Sequence, residues 1–309
     1  MDKHTKIFVA GHRGMVGSAI VRTLAKRGFT HILVRSRSEV DLLNAGAVRA
    51  FFQEQSPEVV VLAAARVGGI VANASQPVEF LIENLTIQNN TIQAAADFGV
   101  QKLLFLGSSC IYPKLSPQPI PESALLTGAL EPSNDAYALA KIAGIRLCQA
   151  YASQYGKNFI SAMPTNLYGP NDNFDLKTSH VLPALLRKIH EAKMGNLDQV
   201  SVWGTGTPRR EFLHVDDLAD ACVFLLENYD SSEIINIGCG QDTSIRDLAV
   251  LICEILGFQG DLVFDPSMPD GTPRKLLDMQ RLFGMGWRPQ IPLREGIAHA
   301  YKSFLEKFA

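Results

Sequence analysis

Short, almost continuously apolar segments alternate with longer segments of helical periodicity through the first half of the chain. The apolar segments cover residues 6–10, 32–34, 59–63 and 103–106, and the helical segments cover residues 15–27, 44–55, 77–97 and 134–155. Pro77 and Gly99 fit the beginning and the end of the third helix. Strands that are apolar on both faces are typical of a parallel sheet covered by helices on both sides. The pattern therefore predicts an α/β fold with a doubly wound parallel sheet.

The second half of the chain has a looser pattern, which begins after Pro164. We expect loops at 169–173 and 204–208, helices at 178–193 and 216–228, and a strand at 234–237. We interpret residues 1–165 as one domain built on the large sheet and residues 166–309 as mainly a smaller α/β domain. Elements near 213–240 are expected to return to the first domain.

The composition excludes several classes of protein. The 309 residues are 47% hydrophobic and 19% charged with a formal net charge of −2, so we expect no nucleic acid or membrane partner. No apolar stretch reaches the roughly 18 residues of a membrane span, and we expect no signal peptide. Five scattered cysteines without a CxxC pair predict neither disulfides nor a bound metal, and they favour a cytoplasmic location.

A glycine-rich turn directly follows the first predicted strand and begins the first predicted helix. Gly11, Gly14 and Gly17 give this turn the spacing GxxGxxG instead of GxGxxG. Small residues let the backbone approach a pyrophosphate, and the helix N-terminus favours the negative charge of that group. Because the turn lies at the start of a βαβ unit, it predicts that residues 1–165 bind a dinucleotide.

The second predicted strand ends in arginines, where an NAD-binding protein usually has an acidic residue. Arg35 and Arg37 follow Val34, and Arg13 lies in the glycine-rich turn. Guanidinium groups form charge-assisted hydrogen bonds with phosphate, so this arrangement favours the 2′-phosphate of NADP(H) over the 2′-hydroxyl of NAD. The alternative is that these arginines are solvated surface charges without a ligand.

Tyr137 and Lys141 are four residues apart on a predicted helix, so their side chains lie on one face. Ser108 follows the fourth predicted strand, at the edge where open α/β sheets bind ligands. A tyrosine with a pKa of about 10 transfers protons poorly at neutral pH, and a nearby ammonium group would stabilise its phenolate. The three side chains therefore predict proton transfer at an oxygen of the substrate.

Four motifs together resemble the extended short-chain dehydrogenase/reductase family, and most closely those members that form GDP-L-fucose. The motifs are GHRGMVGS at 11–18, GSSCIYP at 107–113, PTNLYGP at 164–170 and DGTPRK at 270–275. The resemblance covers essentially the whole chain, and several motifs in the same order are more specific than the glycines alone. It implies a Rossmann-like dinucleotide-binding domain and a smaller substrate-binding domain.

The resemblance implies a reaction in two stages. GDP-4-keto-6-deoxy-D-mannose would be epimerised at C3 and C5 and then reduced at C4 by NADPH. Because the C4 ketone acidifies the protons on C3 and C5, the first stage needs a general base and a general acid beside the ring. By resemblance, Cys110 and His180 take these two roles. Tyr137 and Ser108 would stabilise the enolate oxygen and later protonate O4.

The resemblance also implies the residues that bind each ligand. The substrate-binding residues would be Lys188, Trp203, Arg210 and Asp270. Lys188 stands where some relatives have arginine and lacks the bidentate geometry of a guanidinium group, and Trp203 has the alternative of being an ordinary core residue. The cofactor-binding residues would be Gly11, His12, Arg13, Gly14, Met15, Val16, Gly17, Arg37, Asp41, Leu106, Gly107, Ser109, Lys141, Pro164, Thr165, Asn166, Leu167 and His180.

Three other functions are open at this point. A related 4-epimerase or 4,6-dehydratase would bind NAD, and a dehydratase normally has an Asp-Glu pair where this chain has Ser109 and Cys110. An NADP-sensing regulator on the same fold would tend to lose Tyr137 or Lys141, and both are present. A reductase that forms GDP-colitose would share nearly all of the motifs.

The resemblance further implies a homodimer. Helices 77–97 and 134–155 of two chains would associate as a four-helix bundle. The apolar positions that could serve either this interface or the sheet are Leu81, Leu85, Ile92, Ile142, Ile145 and Leu147.

Overall fold

Twelve strands and ten α-helices make up the part of the chain that the computed structural model describes, residues 1–268 and 270–308. The strands are β1 (Ile7–Ala10), β2 (Ile32–Leu33), β3 (Val59–Leu62), β4 (Lys102–Leu106), β5 (Asn158–Pro164), β6 (Asn166–Tyr168), β7 (Gln199–Trp203), β8 (Arg209–His214), β9 (Ile235–Ile237), β10 (Asp242–Ser244), β11 (Asp261–Asp265) and β12 (Arg274–Lys275). The helices are α1 (Met15–Lys26), α2 (Ala45–Gln55), α3 (Ile70–Ser75), α4 (Pro77–Asp97), α5 (Asp135–Tyr155), α6 (Val181–Met194), α7 (Val215–Asn228), α8 (Ile245–Leu256), α9 (Gln280–Gly284) and α10 (Leu293–Phe308).

The largest sheet contains six parallel strands in the order β2-β1-β3-β4-β5-β9. Every residue of β1, β3 and β4 is buried, as expected for strands with helices on both faces of the sheet. The predicted doubly wound parallel sheet is thus confirmed. Strand order reverses beside β1, and open sheets of this type bind ligands in the crevice at the carboxyl ends of the strands on either side of such a reversal.

Local sequence signals explain where the helices begin and end. The side chain of Asn44 caps α2 by accepting a hydrogen bond from the backbone N–H of Ala47 at 3.0 Å. Pro77 occupies the first turn of α4, where its missing N–H has no intrahelical partner to lose. The helices predicted in the first half agree with the structure to within one residue at each end.

The helix predicted at 178–193 begins later, at Val181. Asp175 accepts hydrogen bonds at 3.0 Å from the backbone N–H groups of Lys177 and Thr178, which holds these residues in a turn instead. This local bonding of an Asp side chain competes with helix formation, and it leaves His180 at the N-cap of α6.

Strand β8 organises the second half of the chain. It pairs with β10 in antiparallel direction and with β6 and β12 in parallel direction, while β7 and β11 form a separate parallel pair. A second apolar cluster, with Leu186, Leu248 and Ile297 fully buried, lies between α6, α8 and α10.

Within residues 1–268 and 270–308, none of the helices has the length and apolarity that crossing a bilayer requires.

The carboxylate of Glu211 in β8 connects several segments of the chain. It is fully buried and accepts hydrogen bonds from the backbone N–H groups of Cys239 at 2.7 Å, Gly240 at 2.7 Å and Leu277 at 3.1 Å. The carbonyl oxygen of Glu211 accepts a further bond from Asn166 Nδ2 at 2.8 Å. One residue therefore fixes β6, the loop after β9 and the segment after β12 around β8.

Replacing Glu211 should destabilise the protein strongly. Glu211→Ala leaves three buried N–H groups without their acceptor, so we expect the free energy of unfolding to fall by about 3 kcal/mol or more. Glu211→Gln retains one side-chain oxygen as acceptor and should cost less. Urea denaturation measures both values, with Glu54→Ala, an exposed position, as a control that changes stability by no more than about 0.5 kcal/mol. An unchanged urea midpoint in Glu211→Ala would contradict this role.

Candidate active site

The glycine-rich turn after β1 packs closely against the loop that follows β3. Gly11 has a φ of +86°, and a Cβ atom there would lie 2.8 Å from the backbone of Ala64. A Cβ atom on Gly17 would lie 2.2 Å from the carbonyl oxygen of Gly11. Only glycine fits either position, so the tight turn that sequence analysis predicts is present.

The N-terminus of α1 is open toward the crevice. Gly14 is the N-cap and has no side chain to occupy the first N–H groups of the helix, and no acidic residue lies in the first turn. Free N–H groups together with the helix dipole make an anion site that fits the pyrophosphate of a dinucleotide.

Among residues 1–268 and 270–308, no three His, Cys, Asp or Glu side chains cluster as metal ligands.

Arg13, Arg35 and Arg37 differ in how freely their guanidinium groups could bind a phosphate. Arg35 donates a hydrogen bond to the carbonyl oxygen of Val34 at 2.8 Å, and its guanidinium lies 5.4 Å from the ring centre of Phe51. Arg13 is exposed, and the exposed Arg37 lies 3.5 Å from the carboxylate of Asp41. Arg13 and Arg37 are therefore the two that can meet a phosphate, and Asp41 orients Arg37.

Sequence reasoning did not identify Glu39 beside these arginines. Its exposed carboxylate accepts hydrogen bonds from the backbone N–H of Ser36 at 2.7 Å and from the Ser36 hydroxyl at 2.6 Å. These bonds, followed by the positive charges of Arg35 and Arg13, lower the pKa of Glu39 below its ordinary value. The arginine cluster thus has an ionised carboxylate at its edge.

The remaining residues predicted for cofactor binding lie along the carboxyl edge of the large sheet. Strand β4 ends at Leu106, and Gly107 and Ser109 lie in the segment that follows it. Pro164 ends β5, the backbone N–H of Thr165 donates to Ile237 at 2.9 Å, and Asn166 and Leu167 begin β6. His12 in the glycine-rich turn is half-buried. The first two residues of α1, Met15 and Val16, are also half-buried. The fold therefore brings these positions to one edge.

Ser108 determines the position of Cys110. Its hydroxyl oxygen accepts a hydrogen bond from the backbone N–H of Cys110 at 3.2 Å and caps the short 3₁₀ helix Ser109–Ile111. Both side chains are half-buried. The serine hydroxyl and the cysteine thiol therefore share one turn of backbone at the end of β4.

Lys141 on α5 is held beneath Tyr137. Its Nζ donates a hydrogen bond to the carbonyl oxygen of Leu106 at 2.8 Å and lies 5.8 Å from the centre of the Tyr137 ring. Only 3% of Lys141 is exposed, and burial lowers the pKa of its ammonium group to about 8. At neutral pH this lysine is therefore mainly charged, close to its titration range.

Tyr137 differs from the sequence expectation of a stabilised phenolate. Burial raises the pKa of Tyr137 well above its ordinary value, the nearby charge of Cys110 raises it further, and the nearby hydroxyl of Ser108 opposes the rise. The phenol is therefore neutral at physiological pH. A neutral phenol beside a lysine ammonium is suited to donate a proton to an oxygen that gains negative charge.

Two side chains that sequence reasoning did not select contact the sulfur of Cys110. Asn134 Nδ2 lies 3.2 Å from Cys110 Sγ, and Lys275 Nζ lies 3.7 Å from it. Lys275 ends the 270–275 motif, and Asn134 directly precedes α5. Position in the 270–275 motif was the only sequence signal for Lys275, and for Asn134 it was position three residues before Tyr137.

His180 lies on the same side of the site as Lys275. The residue is open to solvent on one side, but enough protein surrounds its ring that burial lowers the imidazole pKa, and the charge of Lys275 lowers it further. The neutral ring is therefore favoured at pH 7. Protonated His180 is a stronger acid than an ordinary histidine for the same reason.

The residues predicted for substrate binding form two neighbouring groups. Trp203 is 42% exposed, which excludes it from the core, and Lys188 Nζ lies 5.1 Å from its ring centre. Arg210 Nη2 donates to the carbonyl oxygen of Asp270 at 3.3 Å, and the Asp270 carboxylate accepts from the backbone N–H of Thr205 at 2.8 Å. Asp270 therefore holds the loop after Trp203 in place.

Comparison with known proteins identifies the family of this chain. The profile described as the NAD dependent epimerase/dehydratase family matches residues 7–238. The chain belongs to this family. GDP-L-fucose synthase 1 of Arabidopsis thaliana is 59% identical, with 99% of this chain and 94% of that protein covered. GDP-L-fucose synthase of Escherichia coli K12 is 53% identical, with 97% of both covered.

A solved structure supports the same assignment to the epimerase/dehydratase family. A GDP-L-fucose synthetase from Naegleria fowleri, bound to NADP, superposes with a TM-score of 0.91 and 30% identity, covering 100% of this chain and 96% of the other. The family resemblance that the four motifs indicated is confirmed.

Proposed function

We propose that this protein converts GDP-4-keto-6-deoxy-D-mannose into GDP-L-fucose by epimerisation at C3 and C5 and NADPH-dependent reduction at C4. The observation that carries the proposal is the position of the Cys110 thiol, one turn of backbone from Ser108 and close enough to Tyr137 for its charge to raise the tyrosine pKa. A simple reductase has no need of a thiol there. Relatives that are 59% and 53% identical are named GDP-L-fucose synthases, which supports this product.

NADP(H) fits the crevice at the carboxyl end of the large sheet. The turn from Gly11 to Gly17 and the open N-terminus of α1 would hold the pyrophosphate, and Arg13 and Arg37 would hold the 2′-phosphate. When bound, NADPH supplies the hydride for C4. Lys141, which Leu106 anchors beneath Tyr137, would orient the nicotinamide half of the cofactor and keep a positive charge beside the phenol.

Epimerisation uses the thiol and the imidazole. Cys110 removes the proton from C3 and from C5, and the charge that develops on the C4 oxygen is held by Ser108 and the neutral phenol of Tyr137. His180 delivers a proton to the ring carbon in those molecules whose imidazole is protonated, and its lowered pKa makes that form a stronger acid. Before the second carbon reacts, Cys110 releases its proton to solvent and His180 takes one up from solvent. Reduction then needs only one further proton, which Tyr137 donates to O4.

The second half of the chain would hold the nucleotide. The exposed ring of Trp203 offers a stacking surface, and Lys188 and Arg210 offer positive charge for the diphosphate. In this proposal residues 1–165, with elements near 213–240, form the cofactor domain and residues 166–309 mainly form the substrate domain. A cytoplasmic location also belongs to the proposal, because Cys110 must stay reduced to act as a base.

Two variants should separate the two stages of the reaction. Cys110→Ser raises the pKa of the base far above neutrality, so exchange at C3 and C5 should slow by about 100-fold or more. Tyr137→Phe removes the proton donor for O4 and should stop reduction while some exchange persists through Ser108. Turnover of the keto-sugar in deuterium oxide measures exchange by NMR and reduction by the loss of NADPH absorbance.

The matched controls are Cys239→Ser, another half-buried thiol, and Tyr155→Phe, an exposed tyrosine on the same helix. Both should keep wild-type exchange and reduction. If wild-type protein consumes no NADPH with this substrate, the proposed function is wrong. Wild-type exchange in Cys110→Ser would overturn the role of Cys110 alone.

We also propose that two chains associate through α4 and α5. These helices pack against each other within the chain, and they expose Val78, Ile82 and Leu139 to solvent. Of the positions considered from the sequence, Ile92, Ile142 and Ile145 are buried in the chain itself, so they belong to its core. Leu81, Leu85 and Leu147 are half-buried and can contribute both to the core of the chain and to the proposed interface. A four-helix bundle would cover this apolar surface.

Charged residues on the exposed face should dissociate the dimer. We expect Ile82→Asp combined with Leu139→Asp to sediment with the mass of one chain, because two carboxylates would be buried without partners in the interface. Leu115→Asp, which alters an apolar residue that is 85% exposed outside these helices, should leave the mass of two chains unchanged. A wild-type protein that sediments as one chain would contradict the proposed dimer.

A further inference from the structure

Two hydrogen-bond donors from distant parts of the sequence converge on the sulfur of Cys110. Asn134 Nδ2 lies 3.2 Å from Sγ and comes from the residue before α5. Lys275 Nζ lies 3.7 Å from Sγ and comes from β12. A thiol is a weak acceptor and has only one proton to donate, whereas a thiolate accepts several hydrogen bonds. The two donors therefore fit the ionised form of the side chain.

The charges around Cys110 are positive on balance. Lys275 and Arg210 carry the positive charges that act on the sulfur, and Tyr137, which also faces it, is neutral. A small cavity beside Cys110, which Lys275 also lines, has further charged groups in its lining, but these are paired: Lys114 with Glu131 at 2.9 Å, and Arg274 with Asp242 at 2.5 Å. Among residues 1–268 and 270–308, no carboxylate lies within ion-pair distance of Lys275.

His180 does not provide the positive charge for Cys110. In many proteins that use a cysteine thiolate, a neighbouring imidazolium stabilises it. Here burial and the charge of Lys275 lower the pKa of His180, so that its ring is neutral near pH 7. The ammonium group of Lys275 is the nearest cation that can replace the imidazolium, and its 3.7 Å distance to Sγ is a direct contact.

We propose that Lys275 is a positioning residue that keeps Cys110 as a thiolate, while Asn134 fixes the direction of the sulfur. This inference rests on the proposed function for its purpose, since it supplies a base ready to remove the protons on C3 and C5. It does not rest on that function for its test, because the ionisation of Cys110 is measurable without substrate. Lys275 acts through Cys110 and takes no proton from the sugar.

The pairing of β12 with β8 explains why the side chain of Lys275 can reach Cys110. Strand β12 pairs with β8 so that Lys275 lies opposite Arg210, and Glu211 holds the next turn of chain through the backbone N–H of Leu277. A lysine at this position reaches Cys110 at the end of β4 only because β8 and β12 are paired. The contact is therefore a property of the folded chain.

The test is the pH dependence of Cys110 alkylation by iodoacetamide in the protein without substrate. Peptide mass spectrometry separates Cys110 from the other cysteines, of which three are buried and Cys239 has a pKa raised by burial to about 11. Loss of an opposite charge at this distance should move the midpoint of the rate–pH curve upward by about 1 unit or more in Lys275→Met. Well below the wild-type midpoint, that corresponds to roughly tenfold slower alkylation.

Matched variants distinguish charge from structure. Lys275→Arg keeps a cation and should restore most of the wild-type curve. The double variant Lys114→Met with Glu131→Gln, which removes both members of an ion pair from the same cavity, should not move the midpoint. Lys275→Gln is a second neutral variant, and near-ultraviolet circular dichroism checks that each variant is folded. A wild-type curve in a folded neutral variant would overturn the proposal.

One measurement needs no change at Lys275. The difference in ultraviolet absorbance between wild-type protein and Cys110→Ser reports the thiolate directly, and we expect that signal at neutral pH. Its absence would overturn the proposal whatever the variants do. If instead the thiolate is present but the wild-type protein does not convert the keto-sugar, the proposed function fails and the role of Lys275 toward Cys110 stands.

Discussion

The buried carboxylate of Glu211 is the constraint on which the geometry of the site depends. A carboxyl group without contact to solvent is tolerated only when hydrogen bonds replace its water. Burial raises the pKa of Glu211, and hydrogen bonds from three backbone N–H groups oppose that rise. Those groups come from segments far apart in the sequence, so satisfying the carboxylate brings β12 and the loop after β9 to β8. Arg210 and Lys275 lie opposite each other as a direct result.

The electrostatics of the site connect its two kinds of chemistry. Burial raises the pKa of Tyr137, and negative charge on Cys110 raises it further, so in the proposed mechanism a base that removes a proton from the ring and a phenol that remains a donor are compatible neighbours. Lys141 and Lys275 provide positive charge on either side, one anchored to Leu106 and one in contact with the sulfur. An oxygen at C4 that becomes negative during epimerisation and again during reduction would meet the same donors in both stages.

The sequence predicted the elements of the first half closely because apolar periodicity and local signals such as Asn44 and Pro77 act within a few residues. The roles of Ser108, Cys110, Tyr137 and Lys141 depended on motifs, and the fold brings these side chains together. Glu211, Lys275 and Asn134 could not be selected, since their contacts join strands and loops up to 165 residues apart. The upward pKa shift of Tyr137 also required the structure, because its largest cause is burial of the phenol in the folded chain.

The central claim is that one site carries out proton exchange at two carbons and hydride transfer at a third. The most direct measurement is product NMR after complete turnover of GDP-4-keto-6-deoxy-D-mannose in deuterium oxide with unlabelled NADPH, and in ordinary water with NADPH deuterated at its transferable hydrogen. The account predicts GDP-L-fucose with deuterium at C3 and C5 only in the first case, and at C4 only in the second. A reduced product that keeps protium at C3 and C5 in deuterium oxide would contradict it.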